Sequence, residues 1–173
     1  MSFADIGRHY GREPLSETES DPHPYAQFAR WFAQIRDLEA DPTAFALATA
    51  TRDGKPSVRT VLLKDVDERG FVFYTNYNSR KAREMAESGR AGLLFYWPSL
   101  VRQVRVDGSV DRVSDAESDA YFVSRPVESR WSVYASAQSD VIESRAALES
   151  RYDVARQMYG DTIPRPHWWG GYR

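Results

Sequence analysis

Apolar residues recur along the first half of the chain at two different periods, and each change of period marks a boundary between helix and strand. In PYAQFARWFAQIRDLEADP, Tyr25, Phe28, Phe32 and Ile35 fall at spacings of three, four and three, which predicts an amphipathic helix with Pro24 near its start and Pro42 beyond its end. AFALATAT and SVRTVLLK then read as β-rich runs joined by RDGKP, where Asp53-Gly54 is a tight-turn signal, so the pair predicts a hairpin. A second turn, DERG, leads into GFVFYTN, whose aromatic and β-branched residues predict a third strand and hence a meander. SRKAREMAESG returns to helical propensity, with Ser79 placed as N-cap and Gly89 as the stop.

AGLLFYW and LVRQVRVDGSVDRV predict two further strands, separated by Pro98 and Ser99, with a bulge at Gly108. Ser114 and Glu117 form a capping box that opens the helix DAESDAYFVSR. Pro126 ends it, because the residue before a proline avoids helical geometry, and a tryptophan-bearing loop is expected next. SDVIESRAALESRYDVARQMYG predicts a last helix with Leu148, Tyr152, Ala155 and Tyr159 on one face, followed by a Pro- and Trp-rich tail, IPRPHWWGGYR. Strands cluster centrally and helices flank them. That order predicts an α+β fold, mainly antiparallel β and closed into a small barrel, and argues against a parallel nucleotide-binding sheet. Residues 1–23 lack periodicity and are rich in Ser, Glu, Asp, Pro and Gly, which predicts a mobile N-terminal arm ahead of a single domain over 24–173.

Composition narrows the chemistry. In 173 residues, 23 Lys and Arg stand against 25 Asp and Glu, so a net charge of −2 offers no broad field for nucleic acid or an anionic membrane, and any anion site must be local. With no cysteine, disulfides, thiolate zinc sites and cysteine nucleophiles are excluded, and a cytoplasmic protein is expected. No membrane-spanning run, signal segment, G-x-G-x-x-G, P-loop or G-x-S-x-G is present, and His9, His23 and His167 lie too far apart for a helical metal motif; no metal is expected. Y-T-N-Y-N-S-R-K, residues 74–81, is the distinctive segment, with hydroxyls and two cations where a strand meets a helix start. Spacing alone fits a capped helix with solvated cations as well as a phosphate cradle of Thr75, Ser79, Arg80 and Lys81. Cations at the positive end of a helix dipole tilt the balance towards a bound anion.

Five blocks, RTVLLKDVDERGFVFYTNYNSRKAREM, LLFYWPSLVRQVRVDG, SDAYFVSRPVESR, ASAQSDVIESR and IPRPHWWGGYR, resemble in this order and spacing the pyridoxamine 5'-phosphate oxidase family, from about Tyr10 to Arg173. The resemblance implies an FMN-binding split barrel with flanking helices, working as a homodimer with FMN at the subunit interface. It implies FMN-dependent oxidation of pyridoxamine 5'-phosphate and pyridoxine 5'-phosphate to pyridoxal 5'-phosphate, by hydride transfer to the flavin and reoxidation by oxygen. It assigns FMN contacts to Arg59, Thr60, Val61, Leu62, Leu63, Lys64, Tyr74, Thr75, Ser79, Arg80, Lys81, Gln103, Gln138 and Ser139. Arg8, Tyr10, Lys64, Tyr121, Arg125 and Ser129 are implied as substrate contacts, with the N-terminal arm as a lid. It leaves the catalytic residues of this chain unassigned, the protein contributing positioning more than acid–base groups because the cofactor carries the difficult chemistry.

Physically, Arg59, Arg80 and Lys81 suit a phosphate dianion, and glutamines and hydroxyls suit the polar edge of a flavin. Arg59 and Lys64, five apart, face opposite sides of a regular strand, so either the strand is bulged or the two touch different parts of the ligand. Tyr121 and Arg125, four apart, share a helical face and with Ser129 make a second phosphate grip. Two departures bear on activity. Ser132 and Tyr134, in the segment Trp131-Ser132-Val133-Tyr134, stand where the family has glycine and tryptophan, which predicts a reshaped loop. The family pattern also continues past W-G-G-[FY]-R into a tryptophan-bearing strand and an Arg-Leu-His-Asp-Arg segment; those positions lie beyond Arg173, and slower turnover is expected without them. The competing expectations are a non-catalytic FMN- or pyridoxal-phosphate-binding split barrel and a flavin oxidase of the phenazine-biosynthesis type.

Overall fold

The computed structural model describes residues 15–173. Along the chain run α1 (Pro24–Ile35), β1 (Ala44–Ala50), β2 (Pro56–Leu62), β3 (Asp65–Asp67), β4 (Gly70–Asn76), α2 (Arg80–Ser88), β5 (Arg90–Trp97), β6 (Arg102–Ser109), α3 (Asp115–Ser124), α4 (Val127–Ala135), α5 (Arg145–Tyr159) and β7 (Trp169–Tyr172). All strand pairs are antiparallel, in a four-stranded sheet of order β2-β1-β5-β6 and a three-stranded sheet of order β3-β4-β7. The fold is α+β, a split barrel whose core lies between the two sheets.

The hairpin of β1 and β2 keeps unbroken register from Ala44↔Leu62 to Ala50↔Pro56, and Gly54 at its turn has φ +84, a conformation that side chains resist. Alternation along β1 and β5 sends Phe45, Leu47, Leu93, Phe95 and Trp97 inward, where Phe28 of α1 meets Phe71 and Phe95 edge-on at 5.0 and 5.2 Å. The opposite face of this sheet carries Ala48, Val58, Leu62 and Tyr96 into solvent, Val58 at 65% exposure. No helix among the described residues is long and apolar enough to cross a membrane.

Four expectations are corrected. The third predicted strand does not extend the first hairpin into a meander; β4 pairs with β3 and β7 in the other sheet. No bulge interrupts β6, since Gly108 pairs with Ala91 in continuous register. Pro126 ends α3 and also N-caps α4, so the tryptophan-bearing stretch is helical. The tail contains β7, which docks so closely that a Cβ on Gly170 would lie 2.1 Å from Tyr77 Oη.

Candidate active site

Where β4 runs into α2, Ser79 is the N-cap by position, yet its hydroxyl does not cap the backbone. It accepts instead from Lys81 Nζ at 3.3 Å. Lys81 is 7% exposed and also donates to Thr75 Oγ1 at 3.2 Å and Gln138 Oε1 at 2.8 Å. Burial, with the Arg59 charge as a second cause, lowers its pKa to about 8. The first free N–H of the helix, on Arg80, donates to Ser139 Oγ at 3.2 Å, and Ser139 itself sits at φ +76, a strained conformation for a side-chain-bearing residue. Thus Thr75, Ser79, Lys81, Gln138 and Ser139, remote in sequence, converge on one helix N-terminus.

A cavity of about 610 Å³ opens from this cluster, bounded by β2, β4, α3, α4 and β7. Its aromatic wall is a stack: Tyr74 lies on Tyr121 at 4.0 Å, and Tyr121 is nearly parallel to Trp169 at 6.1 Å. The Arg125 guanidinium sits 4.7 Å from the Trp169 ring centre, and its buried Nη1 has no hydrogen-bond partner. Burial pushes this guanidinium below its ordinary pKa, opposed by Tyr121, with Arg130 adding to the lowering. An arginine held in this state, with no carboxylate paired to it among the described residues, suits an incoming anion. A second cavity of about 390 Å³ shares Thr60, Lys81 and Gln138 with the first and adds Ser57, Val58, Arg59, Arg80 and Ser139.

Of the residues expected at the site, Thr60, Val61, Leu62, Lys64, Tyr74, Thr75, Lys81, Tyr121, Arg125, Ser129 and Gln138 line the larger cavity. Arg59, Arg80 and Ser139 line the smaller one. The strand ends at Leu62, so Lys64 is free of strand parity and faces the first cavity while Arg59 faces the second. Three residues are not brought to either cavity: Leu63 is buried in the main core, Ser79 lies beneath Lys81, and Gln103 is exposed on β6 opposite Tyr96. Arg8 and Tyr10, with the start of the predicted arm, lie outside the described residues. The structure adds Asn76, Ser132, Val133, Ser136 and Trp169 to the wall. Asn76 was accessible to inference, being in the 74–81 segment and paired with Trp169. The α4 residues were hidden by the expectation of a loop.

A cation cluster at a helix start and an unpaired guanidinium on the same aromatic-walled cavity give the site two places where an anionic group can be held. The family model described as pyridoxamine 5'-phosphate oxidase matches residues 32–159. The pyridoxine/pyridoxamine 5'-phosphate oxidase of Paraburkholderia phymatum is 53% identical over 173 residues, covering 99% of this chain and 82% of that protein. Its namesake from Gloeothece citriformis is 51% identical over 175 residues, covering 100% and 82%. Among solved structures, PhzG from Burkholderia lata 383, in complex with tetrahydrophenazine-1-carboxylic acid, matches with TM-score 0.87 and 33% identity over 93% of this chain and 81% of that one. A pyridoxamine 5'-phosphate oxidase-related, FMN binding protein from Nostoc punctiforme shares the fold, with TM-score 0.69 and 19% identity over 88% and 80%.

Proposed function

The chain belongs to the pyridoxamine 5'-phosphate oxidase family, and from that premise we propose that it is an FMN-dependent oxidase of the phosphorylated B6 vitamers. Pyridoxamine 5'-phosphate, oxygen and water give pyridoxal 5'-phosphate, ammonia and hydrogen peroxide; pyridoxine 5'-phosphate and oxygen give the same aldehyde and peroxide. The observation that supports this best is the pair of cations on one aromatic-walled cavity, Lys81 and Arg125, neither paired with a carboxylate among the described residues.

Bound FMN supplies the two-electron acceptor that protein side chains lack. The chain's own residues then have positioning roles. Lys81, Arg80 and Ser139 hold the flavin phosphate at the start of α2, with Arg59 from β2. Gln138 accepts from Lys81 and Thr75 through Oε1, which fixes its amide and leaves Nε2 to donate to the ring edge. Arg125, Tyr121, Ser129 and Lys64 hold the vitamer phosphate. Burial raises the Tyr74 and Tyr121 phenols, so both remain hydrogen-bond donors at neutral pH. Trp169, at the end of the Tyr74–Tyr121–Trp169 stack, holds the Arg125 guanidinium over its ring.

The working form in this proposal is a cytoplasmic homodimer, with residues 24–173 as one domain. The exposed sheet face of Ala48, Val58, Leu62 and Tyr96 supports it, and Gln103 lies on that face, where it serves the flavin bound by the second copy. The likeness to PhzG favours a second reading, oxidation of a reduced ring that bears a carboxylate, since an unpaired Arg125 suits carboxylate as well as phosphate. The test is to load the purified chain with FMN and supply pyridoxamine 5'-phosphate. Pyridoxal 5'-phosphate and peroxide should form in equal amounts, with the unphosphorylated amine a far poorer substrate. Bound flavin with no turnover of it would reject the oxidase in favour of a non-catalytic binder, and turnover of a tetrahydrophenazine carboxylate alone would favour the second reading.

A further inference from the structure

Beneath the phosphate cluster lies a carboxylate that nothing above assigns. Glu84 stands one turn after Arg80 on α2 and is 2% exposed. Its Oε1 accepts from Arg80 Nε at 2.8 Å, and its Oε2 accepts from Thr49 Oγ1 and Ser57 Oγ, each at 2.5 Å, and from Arg59 Nη2 at 3.4 Å. Arg59 is braced further, donating through Nη1 to Leu47 O at 3.1 Å and Thr49 Oγ1 at 2.5 Å, and through Nη2 to Ser57 Oγ. Burial alone would push the Glu84 carboxyl up, but the Ser57, Thr49 and Arg80 donors outweigh it and hold the pKa at about 2, so the group stays charged. One carboxylate thereby ties α2 to β1 and β2 and to two arginines on separate elements, both lining the smaller cavity.

We propose that Glu84 is a positioning residue for the flavin phosphate, holding Arg59 and Arg80 in the geometry that receives it. This rests on the FMN assignment above. A negative charge near a phosphate is by itself repulsive, so a buried glutamate here is useful only through the guanidinium groups it orients. Arginine donors form a rigid fork whose worth against phosphate depends on placement.

The test separates placement from charge. Glu84→Asp keeps the charge and withdraws the carboxylate by one methylene; Glu84→Gln keeps the size and cannot accept from Arg80, Thr49 and Ser57 together. Dissociation constants for FMN and for riboflavin, which lacks the phosphate, are measured by flavin fluorescence on the full chain. Glu84→Asp should reduce the preference for FMN over riboflavin by about tenfold or more, leave the riboflavin constant within about twofold, and lose most of that effect when Arg80→Gln is already present. If the aspartate variant does not fold, as shown by lost riboflavin binding, the glutamine variant should show the same selective loss. An unchanged preference in the folded variants would overturn the role of Glu84 alone. So would tighter FMN binding by Glu84→Gln with Glu84→Asp unaffected, which would make the residue only a charge. Equal affinity of the unaltered chain for FMN and riboflavin would overturn the flavin-phosphate assignment, and this role with it.

Discussion

Lys81 carries a charge that the fold tolerates at a cost. Its ordinary pKa of 10.5 falls to about 8 in the folded chain, so between those values the unfolded chain binds the extra proton. Stability of the ligand-free protein therefore rises with pH over that window, and the penalty for burying the ammonium is fully present below about pH 8. A bound phosphate inverts the balance by favouring the protonated form. FMN affinity should stay level from pH 7 to about 8 and then weaken by up to about tenfold per unit, while riboflavin affinity stays flat. Fluorescence titrations from pH 7 to 10 check this, and a constant ratio of the two affinities would remove Lys81 from the phosphate site. At this scale the sequence shows residue type and loses environment. Arg80 and Lys81 announce themselves by standing at a helix start. Glu84 reads as one more polar residue on a helix, because Thr49 and Ser57 reach it only after β1 and β2 have paired.

Among the elements, α3 shows best how local sequence chemistry sets a site. Ser114 accepts from the Glu117 N–H at 3.1 Å while the Glu117 carboxylate accepts from the Ser114 N–H at 3.0 Å, the reciprocal box its sequence predicts. The helix carries Tyr121 and ends at Arg125, its extended C-cap rather than a residue on the same helical face, so its start bears on where both are placed. Ser114→Ala should cost about 1 kcal/mol, lowering the melting temperature by roughly 2–4 °C, and should weaken pyridoxal 5'-phosphate binding more than FMN binding. Thermal denaturation with both ligands measures the three effects, and equal weakening of both ligands would deny α3 its separate role. The capping box and the Asp53-Gly54 hairpin were legible because their signals are local. By contrast α4, VESRWSVYA, has no clear helical period and follows a proline that equally well stops a helix. In β7, Gly170 and Gly171 speak against a strand until Tyr74 and Tyr77 are seen to occupy the space their side chains would need.

For the whole molecule, periodicity tells which face of a strand is buried and not which strand lies beside it, so an antiparallel barrel was readable while its division into two sheets was not. The same limit applies to the outward face of β1, β2 and β5, whose small and apolar residues a second copy covers in the proposed dimer. Val58→Glu changes a residue already 65% exposed, so the single chain should fold normally. Light scattering should report a shift from dimer to monomer together with weaker flavin retention; an unaltered chain that is monomeric with flavin bound would refute the dimer. Closure of the three-stranded sheet has its own consequence in time. β4 is complete only when Phe73 meets Tyr172, whereas the hairpin of β1 and β2 closes over a few residues. Long loops close late, because their entropy must be lost before any contact repays it. The wall of Tyr74, Tyr121 and Trp169 is therefore expected to assemble after the β1–β2 hairpin, together with the part of the core that Phe73 and Tyr172 complete.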